Sequence, residues 1–335
     1  MDRDPGGADG STLSTVAVIG AGTMGRGIAA ATAAGGLSVT LFDVEASALE
    51  SAREWIADAA ARLVDAGVVT ADGPAAITER VGYVTSIADA VADAELVVEA
   101  VPEDRAIKVE TYERIERHAP TEAVVATNTS SLPLADLEGA FEGAGRFCGA
   151  HWFHPAHVVP VVEVVYGEST TDATIDRTCA YLEAIGKDPV VLERDLPGFI
   201  ANRMQLALNR EAWALVEAGV ASAEDVDRAV KGSFGFRLPV LGVLEKDDHA
   251  GLDVHHKVME ELLPDIDRRT EPPAVLEELV EAGRLGVKSG RGVYDWSAVS
   301  EADLSELRDD RLLELLEVYE TARDVREDLE TAGDV

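Results

Sequence analysis

Four apolar residues, Val16 to Ile19, run without polar interruption and stop at a glycine. A run that short, closed by a turn residue, predicts a buried strand, here over 15–20. The small residues that follow predict a helix over 22–34, ended by Gly35-Gly36. The same alternation continues. Strands are expected at 38–42, 81–85, 96–100, 123–127, 147–153, 161–165 and 190–192, with helices at 46–66 and 105–118. Strands alternating with helices over roughly 190 residues predict a mostly parallel sheet covered on both faces. From Pro197 onward only the helical period remains, at 199–218, 222–231 and in several later stretches. The chain closes on a charged helix expected over 301–329. There Leu304, Leu307, Leu312, Leu315 and Val318 mark a partial apolar stripe, suited to packing or to a dimer. The fold class is therefore α/β then all-α, and Asp195-Leu196-Pro197-Gly198 is the natural joint.

Composition allows two domains with real cores: 335 residues, 47% hydrophobic and 27% charged. No stretch nears the ~20 apolar residues needed to span a bilayer. The first residues carry Asp2, Asp4 and Asp9, where a secretory signal would be basic and then apolar. Residues 1–13 are expected to be a disordered leader. Cys148 and Cys179 lack metal-ligand spacing and need no disulfide, which fits reduced thiols in a cytoplasm. The net charge of −34 is the outlying number, from 63 Asp and Glu against 29 Lys and Arg. Such a surface repels phosphates, so neither nucleic acid nor an anionic membrane is an expected partner. The acid is spread along the chain rather than gathered in one block. That suits a salt-rich cytoplasm better than a basic partner, and low salt should destabilise the fold.

Gly20-Ala21-Gly22-Thr23-Met24-Gly25 forms a G-x-G-x-x-G turn. Alone the pattern is weak; between a predicted strand and a predicted helix it marks a dinucleotide site. Gly20 permits the tight turn, Gly22 lets a pyrophosphate approach the backbone, and Gly25 lets helix pack on strand. The helix start, with Thr23 and Met24, offers free N–H groups to phosphate. Asp43 ends the second strand, 18 residues after Gly25. A carboxylate there binds ribose hydroxyls and repels a 2′-phosphate, and no basic residue follows it, so NAD is the expected cofactor. Residues 14–194 are thus expected to be a Rossmann domain.

Three polar segments carry candidate chemistry. They are Asn128-Thr129-Ser130-Ser131-Leu132, His151-Trp152-Phe153-His154-Pro155 followed by Val162-Glu163-Val164, and Pro197-Gly198-Phe199-Ile200-Ala201-Asn202-Arg203. With the glycine turn and a closing G-x-K-x-G-x-G-x-Y at 286–294, they resemble the L-3-hydroxyacyl-CoA dehydrogenase family, over about residues 14 to 296. The resemblance implies that His151 is the catalytic base and Glu163 its carboxylate partner. It implies that Ser130 and Asn202 bind the reacting oxygen. It places Glu103 and Lys108 at the cofactor edge, with Ser130 nearby. It further implies a helical substrate domain over 195–296, substrate in the cleft between the domains, and a homodimer formed through the helical domain. The chemistry agrees: hydride leaves carbon only as the hydroxyl proton is removed, and imidazole is suited to take it near neutral pH. A buried carboxylate fixes the tautomer and favours the imidazolium that forms. His151, His154 and His157 also recur every three residues, but Pro155 breaks any helix that would align them for a metal.

The chain departs from the family in three places. His154 stands where the family has Asn. Residues 58–78 hold no lysine, where members that use CoA often carry several; Arg53, Arg62 and Arg80 are the available substitutes. Gly235-Phe236-Arg237-Leu238-Pro239 resembles relatives that oxidise small free acids, such as L-gulonate dehydrogenase of the lambda-crystallin group and carnitine dehydrogenase. There Arg237 either pairs with a substrate carboxylate or makes a structural salt bridge. The first expectation is NAD-dependent oxidation of a short L-3-hydroxyacyl-CoA, such as 3-hydroxybutyryl-CoA, in fatty-acid β-oxidation. The alternative substrate is a free 3-hydroxy acid. A non-catalytic NAD-binding protein is a third reading, against which Ser130, His151, Glu163 and Asn202 stand together.

Overall fold

The computed structural model describes residues 13–69 and 73–322. The expected leader lies outside them except for Leu13, which is buried in the core. The end of the last expected helix, beyond 322, also lies outside them. The chain divides into two compact units between Ile200 and Ala201.

The first unit is built on one sheet of eight strands: β1 (Thr15–Ile19), β2 (Ser38–Phe42), β3 (Val81–Val84), β4 (Leu96–Glu99), β5 (Val124–Thr127), β6 (Phe147–Trp152), β7 (Val161–Val165) and β8 (Asp188–Leu192). Their spatial order is β3-β2-β1-β4-β5-β6-β7-β8. The first six run parallel. β7 turns back antiparallel to β6, and β8 runs parallel to β7. The sheet is thus mostly parallel, as the alternation predicts, with a reversed pair at one edge.

Side chains alternate across the strands into two cores. Val16, Val18, Leu96, Val98, Val124 and Ala126 face one layer. Ala17, Ile19, Val97 and Val125 face the other. A strand covered on both faces is mostly apolar, which is why these strands read as near-continuous runs, with Glu99 and Thr127 as buried polar ends. The covering helices are α1 (Thr23–Ala34), α2 (Ala46–Asp65), α3 (Pro74–Glu79), α4 (Ile87–Val91), α5 (Arg105–His118), α6 (Leu134–Glu138) and α7 (Asp172–Ala184). The apolar period does not announce α3, α4, α6 or α7. Three of them are too short to show one. In α7 the buried face is partly polar, with Thr174, Thr178 and Tyr181 on it. Each finds a partner: Thr174 donates to the Gly145 carbonyl at 2.7 Å, and Tyr181 meets Thr32 at 2.7 Å.

The second unit is helical: α8 (Ala201–Glu217), α9 (Ala223–Gly232), α10 (Phe234–Arg237), α11 (Val243–Ala250), α12 (Leu252–Leu262), α13 (Ala274–Glu281) and α14 (Glu301–Ala322). It buries little of its own apolar surface. Among its described residues Leu313 is the one buried hydrophobic side chain, while Phe236 and Leu244 are 77% and 78% exposed. Among the described residues no helix is long and apolar enough to cross a membrane.

Candidate active site

The glycine turn joins β1 to α1. Gly20 has φ 106°, and a Cβ there would lie 2.7 Å from the Ala100 carbonyl oxygen. A Cβ on Gly25 would lie 1.7 Å from the Gly20 carbonyl oxygen. The protein's own packing therefore demands glycine at both positions. Gly22 differs: a Cβ there would meet no protein atom within 4 Å. Its missing side chain leaves a cradle that suits a group brought from outside, as a pyrophosphate would be. No side chain caps the start of α1, so its first N–H groups stay available to an anion. Asp43 lies beside the turn. Its Oδ2 accepts from the Ala21 N–H at 2.8 Å and its Oδ1 from the Glu45 N–H at 3.0 Å. Each oxygen keeps a lone pair for a ribose hydroxyl.

The second group forms where β7 turns back. In the antiparallel register His151 of β6 stands directly opposite Glu163 of β7. Directly opposed residues point to the same face and stand about 5 Å apart at Cβ. Here His151 Nδ1 lies 2.7 Å from Glu163 Oε2, and both side chains are buried. An ionised carboxylate only accepts, so Nδ1 carries the proton and Nε2 is left as the acceptor. The other Glu163 oxygen accepts from the Ile200 N–H at 2.9 Å. That amide is aimed by a left-handed pair, Gly198 at φ 79° and Phe199 at φ 49°. A non-glycine residue held there costs about 1–2 kcal/mol. The same conformation sets the Phe199 ring 5.4 Å from His151, with Phe153 at 4.5 Å. Asn128 Oδ1 accepts from the Trp152 N–H at 2.9 Å, tying the Asn128–Leu132 segment to the residue after His151. The loop 153–160 is pinned by buried Lys187, whose Nζ donates to the Val159 carbonyl at 2.8 Å. Burial pushes the Lys187 ammonium down to about 7.

A third group organises Ser130. Glu99, at the end of β4, is fully buried. It accepts from Lys108 Nζ at 2.8 and 3.0 Å, from Tyr112 Oη at 2.6 Å and from Thr127 Oγ1 at 2.8 Å. Burial, with the Glu99 charge beside it, drives the Tyr112 hydroxyl far above the ordinary phenol range. Lys108 Nζ also stands 3.3 Å from Glu103 Oε2. The other Glu103 oxygen accepts from Thr129 Oγ1 at 2.6 Å and from the Ser130 and Ser131 N–H groups at 2.9 and 3.0 Å. Partial burial opposes the charge on Glu103, but these hydrogen bonds and Lys108 outweigh it and hold the carboxyl at about 2. Glu103 is thus a clamp on the loop that carries Ser130. Lys108, expected at the cofactor edge, has no exposed surface; its Nζ contacts Glu99 and Glu103.

Comparisons with known proteins identify the family. The model of the 3-hydroxyacyl-CoA dehydrogenase NAD-binding domain matches residues 15–196, and that of the same family's C-terminal domain matches 198–296. The chain belongs to the 3-hydroxyacyl-CoA dehydrogenase family. It is an NAD-dependent oxidoreductase of that family. It is 35% identical, over 92% of its length and 99% of the other, to 5-formyl-3-hydroxy-2-methylpyridine 4-carboxylate 5-dehydrogenase of Mesorhizobium japonicum. The crystal structure of a 5-dehydrogenase of that name superposes with a TM-score of 0.86. It is also 35% identical, over 85% of its length and 99% of the other, to 3-hydroxybutyryl-CoA dehydrogenase of Mycobacterium tuberculosis. The (S)-3-hydroxybutyryl-CoA dehydrogenase structure from Ralstonia eutropha is 34% identical over 85% of this chain and 99% of that one, with a TM-score of 0.70.

The other residues singled out in the sequence lie as follows. Asn202 lies in the first turn of α8, in the helical unit. Arg237 ends α10 and is exposed; among the described residues it forms no salt bridge, so the structural alternative for it is not realised there. His154, in place of the family Asn, is exposed, whereas His157 is buried edge-on to Trp55 at 4.9 Å. Arg53 lies over the Tyr83 ring at 4.1 Å, and Arg80 donates to the Ala33 carbonyl at 3.3 Å. Neither cysteine is in a disulfide, and burial pushes the Cys148 thiol up to about 12.

Glu99, Tyr112 and Thr127 escaped the sequence reading, although one signal was visible: a carboxylate closing the apolar run Leu96-Val97-Val98. Replacing one partner of a buried ion pair strands the other. Lys108→Met should therefore destabilise the fold by about 3–5 kcal/mol in equilibrium denaturation at high salt. Lys108→Met with Glu99→Gln should recover part of that loss, and an additive double variant would refute the pairing.

Proposed function

We propose that the chain catalyses the reversible oxidation of a short L-3-hydroxyacyl-CoA to the 3-keto thioester, with His151 as general base. The observation that carries the chemistry is the 2.7 Å hydrogen bond between His151 Nδ1 and Glu163 Oε2. It leaves Nε2 free to take the hydroxyl proton. The nearby negative charge of Glu163 favours the imidazolium that results. Ser130 and Asn202 hold the reacting oxygen by hydrogen bonds that strengthen as charge develops on it. Gly20, Gly22, Thr23, Met24, Gly25 and Asp43 hold the cofactor, with Glu103 at its far edge. NAD, when bound, supplies the hydride acceptor. The names of the Mycobacterium and Ralstonia relatives support the thioester. The uncapped thiols and the acidic surface support a cytoplasmic, salt-rich setting, and β-oxidation is the corresponding process.

A specific observation favours a second substrate class. The likeness to the pyridine-carboxylate dehydrogenase spans 308 residues against 286 for the Mycobacterium 3-hydroxybutyryl-CoA enzyme, and its TM-score is higher. That relative is named for a free acid. Arg237, exposed and without a salt bridge among the described residues, suits a carboxylate.

NADH oxidation in high-salt buffer separates the two readings, with acetoacetyl-CoA and acetoacetate tested side by side. Turnover of the thioester, little changed by Arg237→Ala, is the expected result. Turnover of acetoacetate alone, abolished by Arg237→Ala, would replace it with the free-acid reading. His151→Ala should lower either activity by about 10²–10⁴-fold. Tight NADH binding with no turnover of either compound would leave a non-catalytic NAD-binding protein.

The helical unit is further proposed to pair with a second copy of the chain. A unit of this size that buries one hydrophobic side chain among its described residues needs another surface to cover the rest. Light scattering at high salt should give the mass of two chains. Leu206→Glu with Leu244→Glu, both at exposed apolar positions, should abolish that species; a wild-type mass of one chain would contradict the pairing.

A further inference from the structure

We propose that Arg26, held flat against Trp55, is the cation that receives the anionic part of the substrate. The inference rests on the functional reading above and names the group that recognises the substrate's charge.

Arg26 directly follows Gly25, the last glycine of the turn, and lies in α1. Its guanidinium carbon stands 4.7 Å from the centre of the Trp55 ring in α2. Its Nε is buried without a hydrogen-bond partner, and no carboxylate faces it among the described residues. Burial alone displaces its pKa, downward. Elsewhere in the chain Arg269 has Asp267 and Glu217, Arg228 has Asp225, and Arg311 has Glu314. A half-buried guanidinium with no counter-charge is costly, and an incoming anion removes that cost. Stacking on the indole fixes the plane of the fork, and a planar fork binds carboxylate or phosphate through two parallel hydrogen bonds.

Its surroundings favour the substrate over the cofactor. The Trp55 ring also meets His157, at 4.9 Å. Gly27, next to Arg26, faces Ala156: a Cβ there would lie 3.2 Å from the Ala156 Cβ. Ala156 and His157 belong to the loop 153–160, which runs directly from His151 to the strand of Glu163. Arg26 and Trp55 therefore flank the segment that leaves the dyad. A substrate reacting at His151, with its tail along this loop, brings its anion to Arg26. Phosphates of the cofactor have their own donors in the uncapped start of α1. Of the neighbouring arginines, Arg53 is laid over Tyr83 and Arg80 donates to a carbonyl. The anion is a phosphate of CoA or, where Arg237→Ala leaves turnover of a free acid intact, the carboxylate of that acid. The chemistry at Arg26 is the same for both.

Isothermal titration of NAD-loaded protein tests this without turnover, using CoA and acetoacetate as separate probes. Either probe should bind wild type and lose about tenfold or more in affinity in Arg26→Gln. Arg26→Lys, which keeps the charge but not the fork, should recover part, and affinity for NAD should not change. Loss confined to CoA identifies a phosphate; loss confined to acetoacetate identifies a carboxylate. Unchanged affinity for both probes overturns the proposal, as does failure of both to bind wild type. A parallel fall in NAD affinity would also overturn it, by giving Arg26 to the cofactor. If Arg26→Gln does not fold, Arg26→Lys and Trp55→Phe carry the same comparison. Should both activities be absent while the Arg26 effect stands, the catalytic reading fails and the anion site survives.

Discussion

The hydrogen bond between His151 and Glu163 depends on one reversal of direction in an otherwise parallel sheet. Parallel neighbours need a crossover helix between them, so residues paired across them are far apart in sequence. An antiparallel return lets residues twelve apart stand face to face. β7 makes that return against β6. The register then puts histidine and carboxylate on the same face, where their side chains meet at 2.7 Å. A shift of one residue would send them to opposite faces. Burial completes the arrangement, because a carboxylate shielded from water orients its partner more strongly than an exposed one. Glu163 is itself held on its other oxygen by the Ile200 amide. The strained Phe199 is thus tolerated for what it positions: an amide at Glu163 and a ring at His151.

The loop of Ser130 is fixed by a different means. No regular ladder reaches it. Instead a buried lysine bridges two carboxylates, and the outer one, Glu103, gathers four donors of the loop. The inner one, Glu99, is satisfied on both oxygens by Lys108, Tyr112, Thr127 and the Val101 N–H. A network with every member paired is rigid, whereas a half-paired one would be a liability. The rigid strand ends thereby govern a loop that would otherwise move. Lys108 acts here as a structural cation between the two carboxylates.

Much of this was legible in the chain. Unbroken runs such as Val16–Ile19 gave the strands, because burial on both faces disfavours polar residues that lack a partner. Asp43 and the glycine turn gave the cofactor, because backbone geometry and ribose hydroxyls each require a particular residue at a particular place. His151 and Glu163 could be named, but their contact could not be derived from spacing alone, since it arises from register. Glu99, Tyr112 and Thr127 were hidden, because a buried polar residue looks like an exposed one until its partner across the sheet is known. α7 was hidden for the same reason, its inner face carrying Thr174, Thr178 and the Tyr181 hydroxyl. The helical unit shows the opposite case. Its apolar periods were plain in the sequence, yet the surfaces they mark remain exposed within one chain.

Glu163→Gln is the most direct test of the central claim, because it keeps the shape of the side chain and removes only its charge. The quantity to measure is kcat on whichever carbonyl substrate the wild type reduces, with the affinity for NADH as control. If Glu163 fixes the tautomer and supports the imidazolium, kcat should fall by about 10²-fold or more while NADH binding is unchanged. A kcat within about threefold of wild type would contradict the account, since that is under 1 kcal/mol of transition-state stabilisation.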